Sequence, residues 1–316
     1  MLPVLSLLGS LLSAPALAAE TADPAWDWSS EHRYYLETEV RLPLLMWFFR
    51  EFNEQARVTA FRVRMVTTCR PEVVGKRRSE VLCTIEDVGL TASGLPQEQG
   101  LLQPILEELD ERLSGAEVQL LVRSDGRLAN IDLEGLDRRY QRVGRMNENL
   151  RLVVTRAFAG LDLPLPEVHH DGVLHPQWVQ TDSWLLRAPV ATGNFGTAQV
   201  IHTTQDVDSR VMEIVTVGRG ILVPGGGRNQ YDVVLDGDAT FDTGEGRMLD
   251  RTWSMMGVPT PSSAISEGTA GYPYLQIGRV THLPNDQTVD VGVTEELGPI
   301  DGPSALQQWP VLGLMP

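Results

Sequence analysis

Residues 58 to 91 read VTAFRVRMVTTCRPEVVGKRRSEVLCTIEDVGLT, and this stretch decides the fold class. Side chains alternate across a strand with period two, so Phe61, Val63, Met65 and Cys69 share one face. Val81, Cys83 and Ile85 share the matching face of a second strand, and Pro71 to Ser79 reads as the turn between them. The register that sets Cys69 opposite Cys83 also sets Met65 against Asp87, Val63 against Gly89 and Phe61 against Thr91. Both thiols then point to one side, which favours a cross-strand disulfide over two buried free thiols. A redox-active pair is disfavoured because the spacing is not C-x-x-C.

The same alternation recurs further along. Val118, Leu120 and Val122 precede Asp125-Gly126, a strong two-residue turn signal, and Ala129, Ile131 and Leu133 follow it. Folding there pairs Val122 with Ala129, Leu120 with Ile131 and Val118 with Leu133. Residues 197–205 and 210–218 read as a hairpin setting Val200 against Val215 and Ala198 against Val217. Two more are expected, 230–241 with 247–256 and 274–283 with 287–294.

Helical spacing is confined to a few places. Leu102, Ile105, Leu106, Leu109 and Leu113 form one stripe, with Pro104 tolerable in a first turn and Ser114-Gly115 as a stop. A longer helix is expected from Leu136 to Ala159, stopped by Gly160, Pro164 and Pro166. The run Leu44 to Phe49 after Pro43 reads as a short helix between strands. The fold class is therefore α+β, mainly antiparallel hairpins forming curved sheet with two or three packing helices. Similar acid-Gly-Arg turns at Asp125-Gly126-Arg127 and Glu245-Gly246-Arg247 make tandem duplication an option. The Pro- and His-rich segment from Leu161 to Pro176 marks a boundary between a half spanning 19–165 and a more strongly β half spanning 166–316.

Residues 1–18 are expected to be a signal peptide. Leu5 to Leu12 is an apolar run too short to span a bilayer, and Ala16-Leu17-Ala18 supplies the small residues of a cleavage site, so the mature chain would start at Ala19. No later apolar run reaches membrane-spanning length, which gives a periplasmic or secreted protein. The 316 residues carry 26 Lys+Arg against 42 Asp+Glu, net −16, which argues against nucleic acid as a partner. Only one lysine is present, Lys76, so lysine chemistry has a single candidate.

Motifs mostly exclude functions. G-x-S-x-G, H-E-x-x-H and S-x-x-K are absent, Gly75-Lys76 lacks the glycine of a P-loop, and Gly225-Gly226-Gly227 is followed by no helix that could present amides to a phosphate. Three constellations remain. His169, His170 and His175 beside Asp171 could hold zinc or copper. Asp232, Asp236, Asp238, Asp242 and Glu245 could suit calcium, although the loop lacks the ordered spacing of an EF-hand. Arg138, Arg142 and Arg145 share one helix face and could meet an anionic head group, or serve only as a solvated surface.

The expected function is an exported, non-catalytic binding or carrier protein for a lipid, another hydrophobic ligand or an envelope protein. Trp47, Phe48, Phe49, Phe52 and Phe61 would furnish an apolar groove, and no cofactor is required. In pattern alone the chain resembles exported bacterial proteins with incomplete barrels that carry lipids or lipoproteins. The alternative is a secreted hydrolase or metal-binding protein using the His169/His170/His175 segment. A pocket holding His175 and two carboxylates would favour hydrolysis; an apolar site without titratable groups would favour carriage.

Overall fold

The structure, a computed structural model, describes residues 24–48, 56–94, 99–133, 148–167, 174–181, 183–187, 194–207, 210–223, 231–259 and 274–292. They form a mainly β fold. Strands β1 (His32–Phe48), β2 (Ala56–Val74), β3 (Arg78–Gly94), β4 (Glu117–Arg123) and β5 (Leu128–Asp132) come from the first part of the chain. The second part contributes β6 (Gln177–Gln180), β7 (Asn194–Val207), β8 (Val211–Val223), β9 (Tyr231–Asp242), β10 (Arg247–Pro259) and β11 (Tyr274–Leu283). All eleven lie in one open antiparallel sheet, ordered β5-β4-β3-β2-β1-β11-β10-β9-β8-β7-β6. The seam between the two parts is the β1–β11 pair, where Leu36 faces Val280 and Val40 faces Gln276.

Among the described residues three helices accompany the sheet: α1 (Gln99–Leu113), α2 (Glu148–Ala159) and the single turn α3 (Trp184–Arg187). We call the helix-covered face inner. α1 lies on β3, burying Leu106, Leu109 and Leu113, while α2 lies on β1 with Val154, Ala157 and Phe158 inward. The core runs along this face from Leu120 and Val81 through Met65 and Leu36 to Leu235, Ile214 and Val200. Each Leu or Phe so removed from water contributes about 1.5–3 kcal/mol, which is why a single sided alternation suffices to hold so wide a sheet. On the outer face Glu39 is gripped by Arg41 and Arg62, and a small cluster of Val66, Leu283 and Val291 lies over the β1–β2 pair.

The expected pairing of Cys69 with Cys83 is present, and the two form a disulfide. Beyond it the register differs from expectation by one residue, because a bulge between Val66 and Thr67 leaves Glu86 unpaired. Met65 therefore faces Val88, Val63 faces Leu90 and Phe61 faces Ala92. The shift places Leu90 rather than Gly89 on the core side. Leu120 does face Ile131, but a second bulge sets Val122 against Leu128 instead of Ala129.

Three expectations are corrected. Val200 faces Gly218 and Ala198 faces Gly220, because β7 runs on to Val207, which pairs with Met212, so the chain reverses later than the expected strand ends at 205 and 210 imply. The stretch after Pro43 is not a helix: Met46, Trp47 and Phe48 continue β1 and pair with Val58, Arg57 and Ala56. Residues 287–292 do not form a strand beside β11, since both edges of β11 are already taken by β1 and β10. The signal segment and Arg138, Arg142 and Arg145 lie outside the described residues.

Candidate functional site

The turn that ends α2 carries a fully buried acid. Asp162 accepts hydrogen bonds from the amides of Leu128 at 2.9 Å and Trp184 at 2.8 Å, and from Gln180 Nε2 at 2.9 Å. With its nitrogen facing Asp162, Gln180 presents its oxygen to His202 Nε2 at 3.2 Å, so that nitrogen carries the proton. His202 Nδ1 is then the acceptor for Thr216 Oγ1 at 3.0 Å. Arg251, buried beneath the loop, donates from Nη1 to the carbonyls of Gly160 at 2.9 Å and Asp162 at 2.8 Å.

Burial pushes the Asp162 carboxyl up, opposed by the two amides, Arg251 and Gln180. It pushes His202 down to about 3, with Arg251 adding to the shift, and Arg251 down to about 10, opposed by Asp162. Every hydrogen-bonding side-chain atom of Gln180 and His202 thus has its partner inside the network. The network fastens the α2 turn to β5, β6, β7, β8 and β10.

Bordering this network at Gln180 lies a cleft of about 310 Å³, lined also by Asp125, Arg127, Glu167, His175, Gln177 and Trp178. His175 and two carboxylates therefore do share a cleft, the composition expected of a hydrolase. Their arrangement is less suited. Burial would raise the Asp125 carboxyl, but hydrogen bonds and charge from Arg127 outweigh it and hold it below its usual range. Arg127 Nε meets Asp125 Oδ2 at 2.8 Å, which commits that acid to an ion pair. Among the described residues, no serine, threonine or cysteine lines the cleft.

A different arrangement stands at the middle of the inner face. Thr38 on β1 and Trp253 on β10 both face Gly278 of β11, and Gln276 is two residues along the same strand. Gln276 has no exposed surface, yet neither its amide nitrogen nor its oxygen has a partner; Thr38 Oγ1 and Trp253 Nε1 are likewise buried and unpartnered. A buried polar atom left unmade costs about 1–3 kcal/mol, so four such atoms in adjacent residues call for an ordered water or a bound polar group. Along the two cross-strand rows the inward neighbours are Phe61, Val40, Met255 and Leu235, then Val63 and Gly237, and the buried Arg251 guanidinium stands 6.0 Å from the Trp253 ring.

The sequence candidates separate accordingly. His175 stands at the cleft, whereas His169, His170, Asp171 and Phe52 lie outside the described residues, and for Trp47 and Phe48 the backbone alone is described. Phe61 joins the core. Asp236 and Asp238 fall on the outer face, while Asp242 binds the amides of Gly244 and Glu245 in its own turn. Among the described residues no group of three or more His, Cys, Asp or Glu side chains could hold a metal ion. Gln276, Thr38 and Trp253 were not anticipated. A glutamine in phase with Val280 on one strand face was the available signal, and the wrong partner for β11 concealed it.

No family model matches the chain, and no curated protein matches it either. Among solved structures, a chain described under "Lipid-protein interactions in lipovitellin" is similar with a TM-score of 0.45 and 10% identity over 82% of this chain. The match covers 25% of that chain, so this protein spans about a quarter of the length of the structure it resembles.

Proposed function

We propose that the protein is an exported, non-catalytic carrier that seats a hydrophobic ligand against its inner face, with an uncharged polar group of the ligand bonded at Gln276. The observation that carries this reading is the pair of unpartnered amide atoms on Gln276, buried among apolar side chains. An amide or hydroxyl group both donates to and accepts from such a side-chain amide without bringing in a second charge. The Cys69–Cys83 disulfide supports an oxidising compartment, and among the described residues no helix is long and apolar enough to cross a membrane. Arg138, Arg142 and Arg145, at helical spacing in the sequence, belong to this proposal as the contact with an anionic membrane surface.

Native mass spectrometry of the protein purified from its own envelope tests it. The expected result is a co-purified small molecule whose occupancy falls in Gln276→Leu, a variant that keeps the volume and removes both orphaned atoms. A wild-type protein without such a molecule, or an unchanged occupancy in the variant, overturns the reading. A second reading, secreted hydrolase, is favoured by the shared cleft of His175, Asp125 and Glu167. Hydrolysis of simple esters that disappears in His175→Ala would establish it in place of carriage.

A further inference from the structure

At the other end of the inner face, four rings stand against one another. Trp28 meets His32 edge-on at 5.3 Å between centroids, and His282 lies 6.1 Å from His32 and 5.6 Å from Tyr34. Trp28, His32 and Tyr34 are buried, and each has a polar atom without a partner: Trp28 Nε1, His32 Nδ1 and Tyr34 Oη. Arg247, the first residue of β10, supplies a fourth, its buried Nε, while its Nη2 is held by Glu245 at 2.5 Å. Its neighbour Gly246 accepts from the amide of Asp27 at 2.7 Å, the residue whose carbonyl meets His32, and the Arg247 charge bears on His32, Tyr34 and His282. His282 and Arg247 are partly exposed, whereas Trp28, His32 and Tyr34 are buried.

The protonation of His32 decides what fits. Its Nε2 faces the carbonyl of Asp27 at 2.6 Å, and a carbonyl only accepts, so Nε2 carries a proton. Burial, with Arg247 adding to it, keeps His32 below its ordinary value and His282 down at about 4, although Asp27 and Glu245 oppose these shifts at His32 and Glu245 at His282. At neutral pH, then, Nδ1 of His32 is a bare lone pair. The site offers three orphaned donors or hydroxyls, one orphaned acceptor and the positive charge of Arg247.

We infer that Trp28, His32, Tyr34, His282 and Arg247 form a second binding site, for a singly protonated phosphate group, free or as a phosphomonoester. The phosphate oxygens accept from Trp28 Nε1, Tyr34 Oη and Arg247 Nε, and the P–OH donates to His32 Nδ1. A carboxylate or a sulfate has no proton to give to His32 at neutral pH, so both are discriminated against. This site stands on observations separate from those at Gln276 and does not depend on the carrier reading.

Isothermal titration of the full chain with inorganic phosphate, sulfate and acetate tests the inference, beside Tyr34→Phe and Arg247→Gln. Tyr34→Phe removes one hydroxyl and keeps the ring, and circular dichroism confirms that each variant folds. Phosphate is expected to bind and sulfate and acetate not to, with each variant weakening phosphate by about tenfold or more. A parallel titration with short-chain phosphatidic acid assigns the source: tighter binding than phosphate means a lipid head group, weaker binding means the free ion. Absence of phosphate binding means the four atoms are met by water alone and overturns the inference, as does equal binding of sulfate or undiminished binding in both variants.

Discussion

Gly278 of β11 lies directly beneath the indole of Trp253: a Cβ at this glycine would stand 1.9 Å from Trp253 Cζ2. The indole reaches over β11 as far as Gly160 in the α2 turn, where an added Cβ would stand 2.5 Å from Cη2. Trp253 thus couples the sheet to the turn that carries Asp162, and two glycines leave the room it needs. Gly278→Ala is expected to lower stability by about 1–3 kcal/mol through overpacking and to shift tryptophan emission to the red as the ring is displaced. Denaturant unfolding followed by fluorescence checks both. An unchanged midpoint and emission would show that the ring has another resting place.

The β-content of the chain was legible because burial follows a period of two wherever one face is covered, as along Val118, Leu120 and Val122. Pairing was legible only beside a local constraint. Cys69 and Cys83 pinned their register, but the bulge at Glu86 shifted everything beyond it, since one extra residue is invisible in the alternation itself. The β1–β11 seam was not legible, for it joins residues more than two hundred positions apart and no turn announces it. The candidate site was missed for the same reason: Gln276 becomes a buried orphan only once Val40 and Met255 are known to flank it.

The Arg251–Asp162 pair gives a sharper energetic test. Arg251 is nearly inaccessible and its Nη1 binds two carbonyls of the α2 turn, so Arg251→Met removes both bonds and leaves the buried Asp162 without its opposing charge. Breaking one side of a buried charged arrangement costs about 3–5 kcal/mol. Adding Asp162→Asn should recover only part of the loss: it removes the uncompensated charge, but its NH2 faces a donor where each Asp162 oxygen accepts one. Chemical denaturation of the two single variants and the double variant reads the coupling; strictly additive losses would show that the two residues act independently.

The disulfide closes a loop over the β2–β3 turn, with a sequence separation of 14. In the chain-entropy picture a loop of about fifteen residues contributes about 3 kcal/mol by restricting the unfolded chain. Reduction should therefore lower the unfolding midpoint without altering the β-sheet circular dichroism signal, since Cys69 and Cys83 stay buried as small hydrophobes. Thiol labelling of unreduced, denatured protein is expected to give no labelled cysteine. Two labelled thiols would contradict the bridge.

Asp110 on α1 makes stability depend on pH between acid and neutral conditions. Burial, with Asp87 and Glu107 adding to it, pushes its carboxyl up to about 7, although the amide of Leu90 donates to it, and its Oδ1 is buried without a partner. Between about pH 4, where the carboxyl ionises in the unfolded chain, and pH 7, the folded state holds a proton that the unfolded state has lost. Asp110 accordingly makes stability fall as pH rises through that window, and the loss is complete above 7. His202 works in the opposite sense. Its imidazole stays neutral down to about 3 when folded but takes a proton below about 6.5 when unfolded, so it makes stability fall as pH drops. Comparing Asp110→Asn with wild type cancels the His202 contribution, which both proteins share. The variant is expected to match wild type near pH 4 and to exceed it in thermal midpoint at pH 8, because an amide cannot ionise at the buried position. A difference that stays constant from pH 4 to 8 would mean that Asp110 titrates as an ordinary surface carboxylate.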